Sequence, residues 1–203
     1  MTKSSSAALA LALAIALSGA GCGLFDTAQP EPPTTGDGGL PPDFTTPEST
    51  LATLARSVHD RNVTNYGQCI ADTVLESREF FQEFDPADAT AWLENHPDLP
   101  VPWIRERELT FFNQFIANSD FSGNFYDVYF SPDPRGDVNI SDSKRILNRI
   151  YRVWSGNSPV CAGSAGFTLE RIGLAGDFKI TYWEDRRDTA DVRTWGTARL
   201  NGR

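Results

Sequence analysis

Few side chains in this sequence could do acid–base or nucleophilic chemistry, and their settings tell them apart. Most acids stand in turns or beside other charges: Asp85 and Asp88 at an apparent helix start, Asp133 and Asp137 in a proline-bearing loop, Glu184 and Asp185 at the end of a strand-like run. Asp127 differs. It lies between Tyr126 and Val128 in the aromatic stretch NFYDVYF, so it is the acid best placed to face an apolar cavity, where burial raises a carboxyl toward the range of a general base. The alternation itself favours a solvent-facing Asp127 opposite Tyr126. His59 closes a helical pattern in SVHDRN, where the helix dipole favours an imidazole, and its neighbour Asp60 falls on another face. His96 precedes Pro97 in a loop. The sequence holds no GxSxG, phosphate-loop or HExxH motif, so no catalytic residue is assigned from it.

The remaining chemistry belongs to thiols and rings. Cys69 and Cys161 are the two cysteines of the C-terminal segment. In an oxidising compartment they are candidates for a disulfide, and two buried, unpaired thiols are the alternative. Neither sits in a CxxC pair or near a histidine, and Asp133, Asp137 and Asn139 depart from the alternating calcium-loop spacing, so neither metal nor cofactor is expected. The tripeptide Arg135-Gly136-Asp137 reads as a turn. Tyr66, Trp103, Phe112, Asp127, Trp154 and Trp183 are candidates to line a pocket for an apolar ligand, with ordinary core packing as the alternative for the rings.

These residues need elements to hold them, and the pattern supplies helices first and strands last. Thr46 can cap a helix that Pro47 opens, with Leu51, Leu54, Ala55 and Val58 on one face. A shorter helix follows near Asn65 to Ala71, then the strand REFFQEF with Phe80 and Phe84 facing one way and Phe81 the other. Asp85 and Pro86 start another helix, and WIRERELTFFNQFIA, with its stripe of Leu109, Phe112, Phe115 and Ile116, is the clearest helix of the chain. After NFYDVYF the pattern predicts strands in SKRILNRIYRVWS, AGFTLERIG, DFKITYWEDR and TWGTARLNG, the middle two forming a hairpin at GLAGD. Helices followed by an antiparallel meander make the class α+β.

The N-terminal part reads differently. A polar start with Lys3 leads into eleven apolar residues, Ala7 to Leu17, too few for a membrane span of about 20. Small residues then lead to Cys22 in SGAGC, which marks residues 1–21 as a targeting segment. The stretch GLFDTAQPEPPTTGDGGLPPDFTT that follows Cys22 is rich in Pro, Gly, Thr and acids, so 22–46 is expected to act as an extended tether. The rest, 47–203, suffices for one domain. The whole chain carries a formal charge of −9, and loss of Lys3 leaves 17 basic against 27 acidic side chains, a balance of −10. With no basic stripe, nucleic acid is not an expected partner.

Two resemblances follow from these residues. SGAGC after the apolar run resembles the lipobox of bacterial lipoproteins, with Gly19 where that family usually has an aliphatic residue. The resemblance implies cleavage before Cys22, acylation of its thiol and new amino group, a bacterial envelope location and, with Gly23 next, sorting to the outer membrane if the organism has one. The element order, with LATLARSVHDRNVTNY at the start and FKITYWEDRRD and TWGTARL at the end, resembles the NTF2-like superfamily. That implies a cone in which N-terminal helices pack against a curved antiparallel sheet formed largely by C-terminal strands, enclosing an apolar pocket. A lipid-anchored module that binds a small apolar ligand or an envelope protein without catalysis is the expected function. An isomerase, dehydratase or hydrolase using the same pocket, or a structural homodimer, are the alternatives. Scytalone dehydratase-like chemistry would require a His and an Asp aimed at one pocket.

Overall fold

The computed structural model describes residues 40–94, 96, 102–117, 126–188 and 193–200. The targeting segment, Cys22 and most of the tether lie outside the described residues. Among those described, no helix is long and apolar enough to cross a membrane. The first helix, α1 (Pro47–His59), begins where the capping chemistry places it. Thr46 Oγ1 accepts from Ser49 N at 3.0 Å and Ser49 Oγ accepts from Thr46 N at 3.0 Å, a reciprocal capping box. Its buried Leu51, Leu54 and Val58 face the core. Then come α2 (Val63–Cys69), the single turn α3 (Thr73–Glu76), β1 (Phe81–Glu83) and α4 (Pro86–Leu93), the last capped by Asp85. After β2 (Trp103–Ile104) the long helix α5 (Arg105–Ala117) buries Phe111, Phe112 and Phe115.

Five strands follow: β3 (Tyr126–Pro132), β4 (Val138–Ser141), β5 (Lys144–Ser155), β6 (Ser158–Ile172) and β7 (Asp177–Arg186). The sheet runs β2-β1-β7-β6-β5-β3, with β4 pairing beside β3 on the same edge of β5. All pairings are antiparallel except β1 with β7, so the sheet is mixed, curved and unclosed. The β6–β7 turn takes positive φ at Gly173 (74°) and Gly176 (68°), where a side chain would be strained. Along β6 alternate residues Cys161, Ala165, Phe167 and Leu169 enter the core, as do Leu147, Tyr151 and Val153 of β5 and Ile180 and Trp183 of β7. Helices α1, α2 and α5 cover this face.

Two expectations need correction. TWGTARL is not a strand but a helix, α6 (Trp195–Leu200). Thr194 Oγ1 accepts from Thr197 N at 2.9 Å, and Trp195, Ala198 and Arg199 are buried together at helical spacing, which a pleated strand could not achieve. The packed unit also starts earlier than Pro47, at Pro41. Phe44, expected at the end of the tether, packs against the core and its carbonyl accepts from Phe178 N at 2.8 Å, while Asp43 N donates to Thr53 Oγ1 at 3.1 Å.

Candidate functional site

Helix α6 packs against β6 and brings a cation with it. Arg199, fully buried, meets the equally buried Glu108 of α5 through two bonds of 2.7 Å, from Nε to Oε2 and from Nη2 to Oε1. Tyr66 of α2 donates to Glu108 Oε1 at 2.5 Å and Trp103 Nε1 donates to Oε2 at 2.8 Å, so four donors surround one carboxylate. The guanidinium also lies 4.1 Å from the centre of the Trp183 ring and 4.9 Å from that of Trp195. Burial opposes its charge, but Glu108 more than offsets this and holds the Arg199 pKa above its usual value. Burial, with Glu108 adding to it, pushes the Tyr66 hydroxyl well up.

A second carboxyl, Asp185 on β7, is buried nearby. Tyr151 donates to its Oδ1 at 2.6 Å, Gly196 N donates to its Oδ2, and Trp195 N donates to the Tyr151 oxygen at 2.8 Å. Desolvation pushes Asp185 up to about 7, against the lowering pull of Tyr151 and Arg199. Both carboxyls thus spend their hydrogen bonds on the chain itself. Around them Trp183, Trp195, Phe112 and Phe167 are almost wholly buried, so protein atoms occupy the interior.

A groove of about 520 Å³ runs between β1, β2, α4 and the end of α6, walled by Phe84, Pro86, Ala89, Trp92, Leu93, Trp103 and Leu200. Glu83, Arg107 and Tyr182 stand among its polar lining residues, and Gln82 of β1 contributes to it as well. Trp103 is set by an edge-to-face contact with Phe84 at 5.4 Å, and Trp92 by an Nε1 bond of 2.7 Å to Leu200 O.

The sequence candidates fall in three places. Trp103 lines the groove; Tyr66, Phe112 and Trp183 are core, with Tyr66 stacked on Phe112 at 3.8 Å. Asp127 and Trp154 are cross-strand partners on β3 and β5. There Asp127, half-exposed, accepts a hydrogen bond from His59 Nδ1 at 2.7 Å, a contact that joins the end of α1 to β3. Neither residue lines the groove. The expected disulfide is absent: Cys69 and Cys161 are both free and buried. Cys69 Sγ donates to Asn65 O at 3.3 Å within α2, whereas Cys161 lies on β6 opposite Val153 of β5. Burial pushes Cys161 up to about 12 and Cys69 higher still. In the turn after β3, Arg135 folds back on Asp133 at 2.8 Å and Arg149 binds Asp137 at 2.5 Å, so both charged ends of Arg135-Gly136-Asp137 are engaged internally. Among the described residues no cluster of His, Cys, Asp and Glu could hold a metal ion.

Glu108, Arg199, Asp185 and Gln82 were not among the sequence candidates. Each occupies the apolar phase of its element, Glu108 in register with Phe111, Phe112 and Phe115, Gln82 between Phe80 and Phe84, and this phase was the available signal.

Helices packed on one face of this curved, unclosed sheet make an α+β fold of the NTF2-like kind. A candidate dehydratase of the NTF2-like family from Streptomyces avermitilis superposes with a TM-score of 0.50 at 9% identity, over 70% of this chain and 92% of that one. A protein of unknown function from Mycobacterium tuberculosis gives 0.49 at 11% identity, over 76% and 87%. An NTF2-like protein of unknown function from Pseudomonas putida KT2440 gives 0.46 at 8%, over 68% and 82%. No family model matches the sequence, and no curated protein matches it. At such identities the likeness speaks for the fold alone.

Proposed function

We propose that this chain is a lipid-anchored protein of the bacterial envelope, held in the outer membrane where the organism has one, whose NTF2-like domain binds a small apolar ligand without converting it. The observation that carries the binding reading is the groove. Its 520 Å³ lies within the range of about 300–1,000 Å³ typical of small-molecule sites, and its walls are aromatic and aliphatic. The carboxylates of the interior, by contrast, take their hydrogen bonds from the chain itself, Glu108 from Arg199, Tyr66 and Trp103 and Asp185 from Tyr151 and Gly196, under buried rings. The anchor rests on the sequence: an eleven-residue apolar run, small residues, Cys22 and a Pro-rich tether. Two or more acyl chains on Cys22 would hold the protein stably where one would not.

One preparation tests both halves. Cys22→Ala should move the protein from the membrane to the soluble fraction, and unchanged membrane association refutes the anchor. The released full chain should then bind the neutral dye N-phenyl-1-naphthylamine with a rise in fluorescence. Ala89→Phe, which fills the groove from α4 without removing a contact, should weaken that binding about tenfold or more, as expected when an apolar ligand is displaced from its site. Equal binding by both proteins would place the dye elsewhere and sink the groove.

One contact favours an enzyme of isomerase, dehydratase or hydrolase type instead. The pair His59 and Asp127 has the spacing of a base and its orienting carboxylate. Turnover of an enolisable or dehydratable apolar substrate that disappears in His59→Gln would carry that reading over the first.

A further inference from the structure

The groove holds one feature that its apolar walls do not explain. Gln82 sits in the middle of β1, paired with Trp103 on one side and Trp183 on the other, and is 4% exposed. Neither its Nε2 nor its Oε1 has a hydrogen-bond partner among the described residues. Its neighbours in the same phase, Phe80 and Phe84, are apolar, and a Leu or Met at this position would fit the surroundings without stranding two polar atoms. A buried carboxamide with both ends unpaired is costly to keep, and a bound group that pairs with both ends would account for it.

We infer that the groove is built for a neutral, ring-bearing apolar molecule that carries one amide or lactam group, with the ligand amide pairing with the Gln82 carboxamide. This deepens the binding reading given above and rests on it. A primary or secondary amide offers a donor and an acceptor side by side, the complement of the donor and acceptor that Gln82 presents. An ether or ketone would satisfy only the donor, leaving the oxygen of Gln82 orphaned. The ring system is set by the walls: Trp92, Trp103 and Phe84 offer flat faces and edges, and the volume admits two fused rings with room to spare. A site that contributes buried hydrogen-bonding groups rejects the analogue that lacks their partners far more strongly than an apolar wall rejects a missing methylene.

The test uses the released full chain and two probes of nearly equal shape, 2-naphthamide and 2-isopropylnaphthalene, titrated by quenching of tryptophan fluorescence. The wild-type protein should prefer the amide by at least tenfold. In Gln82→Met the preference should vanish, through weaker binding of the amide and equal or tighter binding of the hydrocarbon, with a melting temperature no lower than that of the wild type. Equal affinity of the wild type for both probes overturns the amide inference and leaves the groove intact, the result expected if a buried water satisfies Gln82. A preference that survives in Gln82→Met overturns it as well, because another group then makes it. If neither probe binds, the binding reading fails along with it.

Discussion

Arg199 and Glu108 are fully excluded from water, and the energetics of such a pair are asymmetric. Making it from apolar residues of similar volume would be nearly neutral, but breaking it from one side strands a buried charge at about 3–5 kcal/mol. Arg199→Met should therefore destabilise the protein by about that amount, since Tyr66 and Trp103 still donate to Glu108 but, being neutral, cannot balance its charge. Glu108→Gln together with Arg199→Met should recover most of the loss. Denaturant midpoints of the two variants check this, and a double variant no more stable than Arg199→Met would show that the loss comes from packing. This pair also shows why residue types misled. Arg199 falls in a segment expected as a strand, and Glu108 in a helix whose expected apolar stripe runs through Leu109, Phe112, Phe115 and Ile116, so only their helical phase relative to Trp195 and Ala198, or to Phe111, Phe112 and Phe115, marks them as buried. His59 and Asp127 were each legible as unusual, but 67 residues of intervening chain hid their contact, because β3 is brought to α1 only by the finished sheet.

At the scale of elements, α6 departs most from the sequence pattern. Its hydrophobic content is β-prone in composition, and a strand in its place would have completed a meander, yet tertiary contacts decide for a helix. Asp185 accepts from Gly196 N and Thr194 caps the first turn. Gly196 is where this can be tested. Alanine is the better helix former by about 1 kcal/mol at an ordinary helical site. Here a Cβ would stand 2.7 Å from Asp185 Oδ2 and 3.0 Å from the Phe84 ring, so Gly196→Ala should destabilise the fold. A rise in the thermal midpoint would mean that α6 is not held against Asp185. The other elements were more legible, because local chemistry and tertiary packing agree in them. Thr46-Pro47 and Asp85-Pro86 start helices, and the β6–β7 hairpin turns where its glycines allow. The parallel pairing of β1 with β7 was not legible, since it joins Phe81 to Tyr182 across a hundred residues with no local signal.

For the whole molecule, the buried Asp185 couples stability to pH in an unusual direction. Desolvation raises its pKa to about 7, whereas an unfolded chain would titrate it near 4. Between these values the folded state binds the proton more tightly than the unfolded one, so stability falls as pH rises from about 4 through 7. Glu184, also raised by burial and by Glu83, adds in the same sense. Asp133 opposes it: the hydrogen bonds from Arg135 lower its pKa, so its contribution is lost only as pH falls below the ordinary carboxylate range. The groups facing Asp185 are Tyr151 and Arg199, with Asp88 and Cys161 further off; the two tyrosine and thiol protons stay on throughout this window, and Arg199 stays charged. The expected profile therefore has its maximum on the mildly acidic side, near pH 4–5, rather than at neutrality. Unfolding free energies measured by denaturant from pH 4 to 8 should fall by a few kcal/mol, and Asp185→Asn should flatten most of that slope whatever its effect on absolute stability. A wild-type curve that rises over this interval, or a slope unchanged in the variant, would mean that the carboxyl beneath α6 is ionised at neutral pH and that Gly196 and Tyr151 supply enough hydrogen bonding to hold a bare charge in the core.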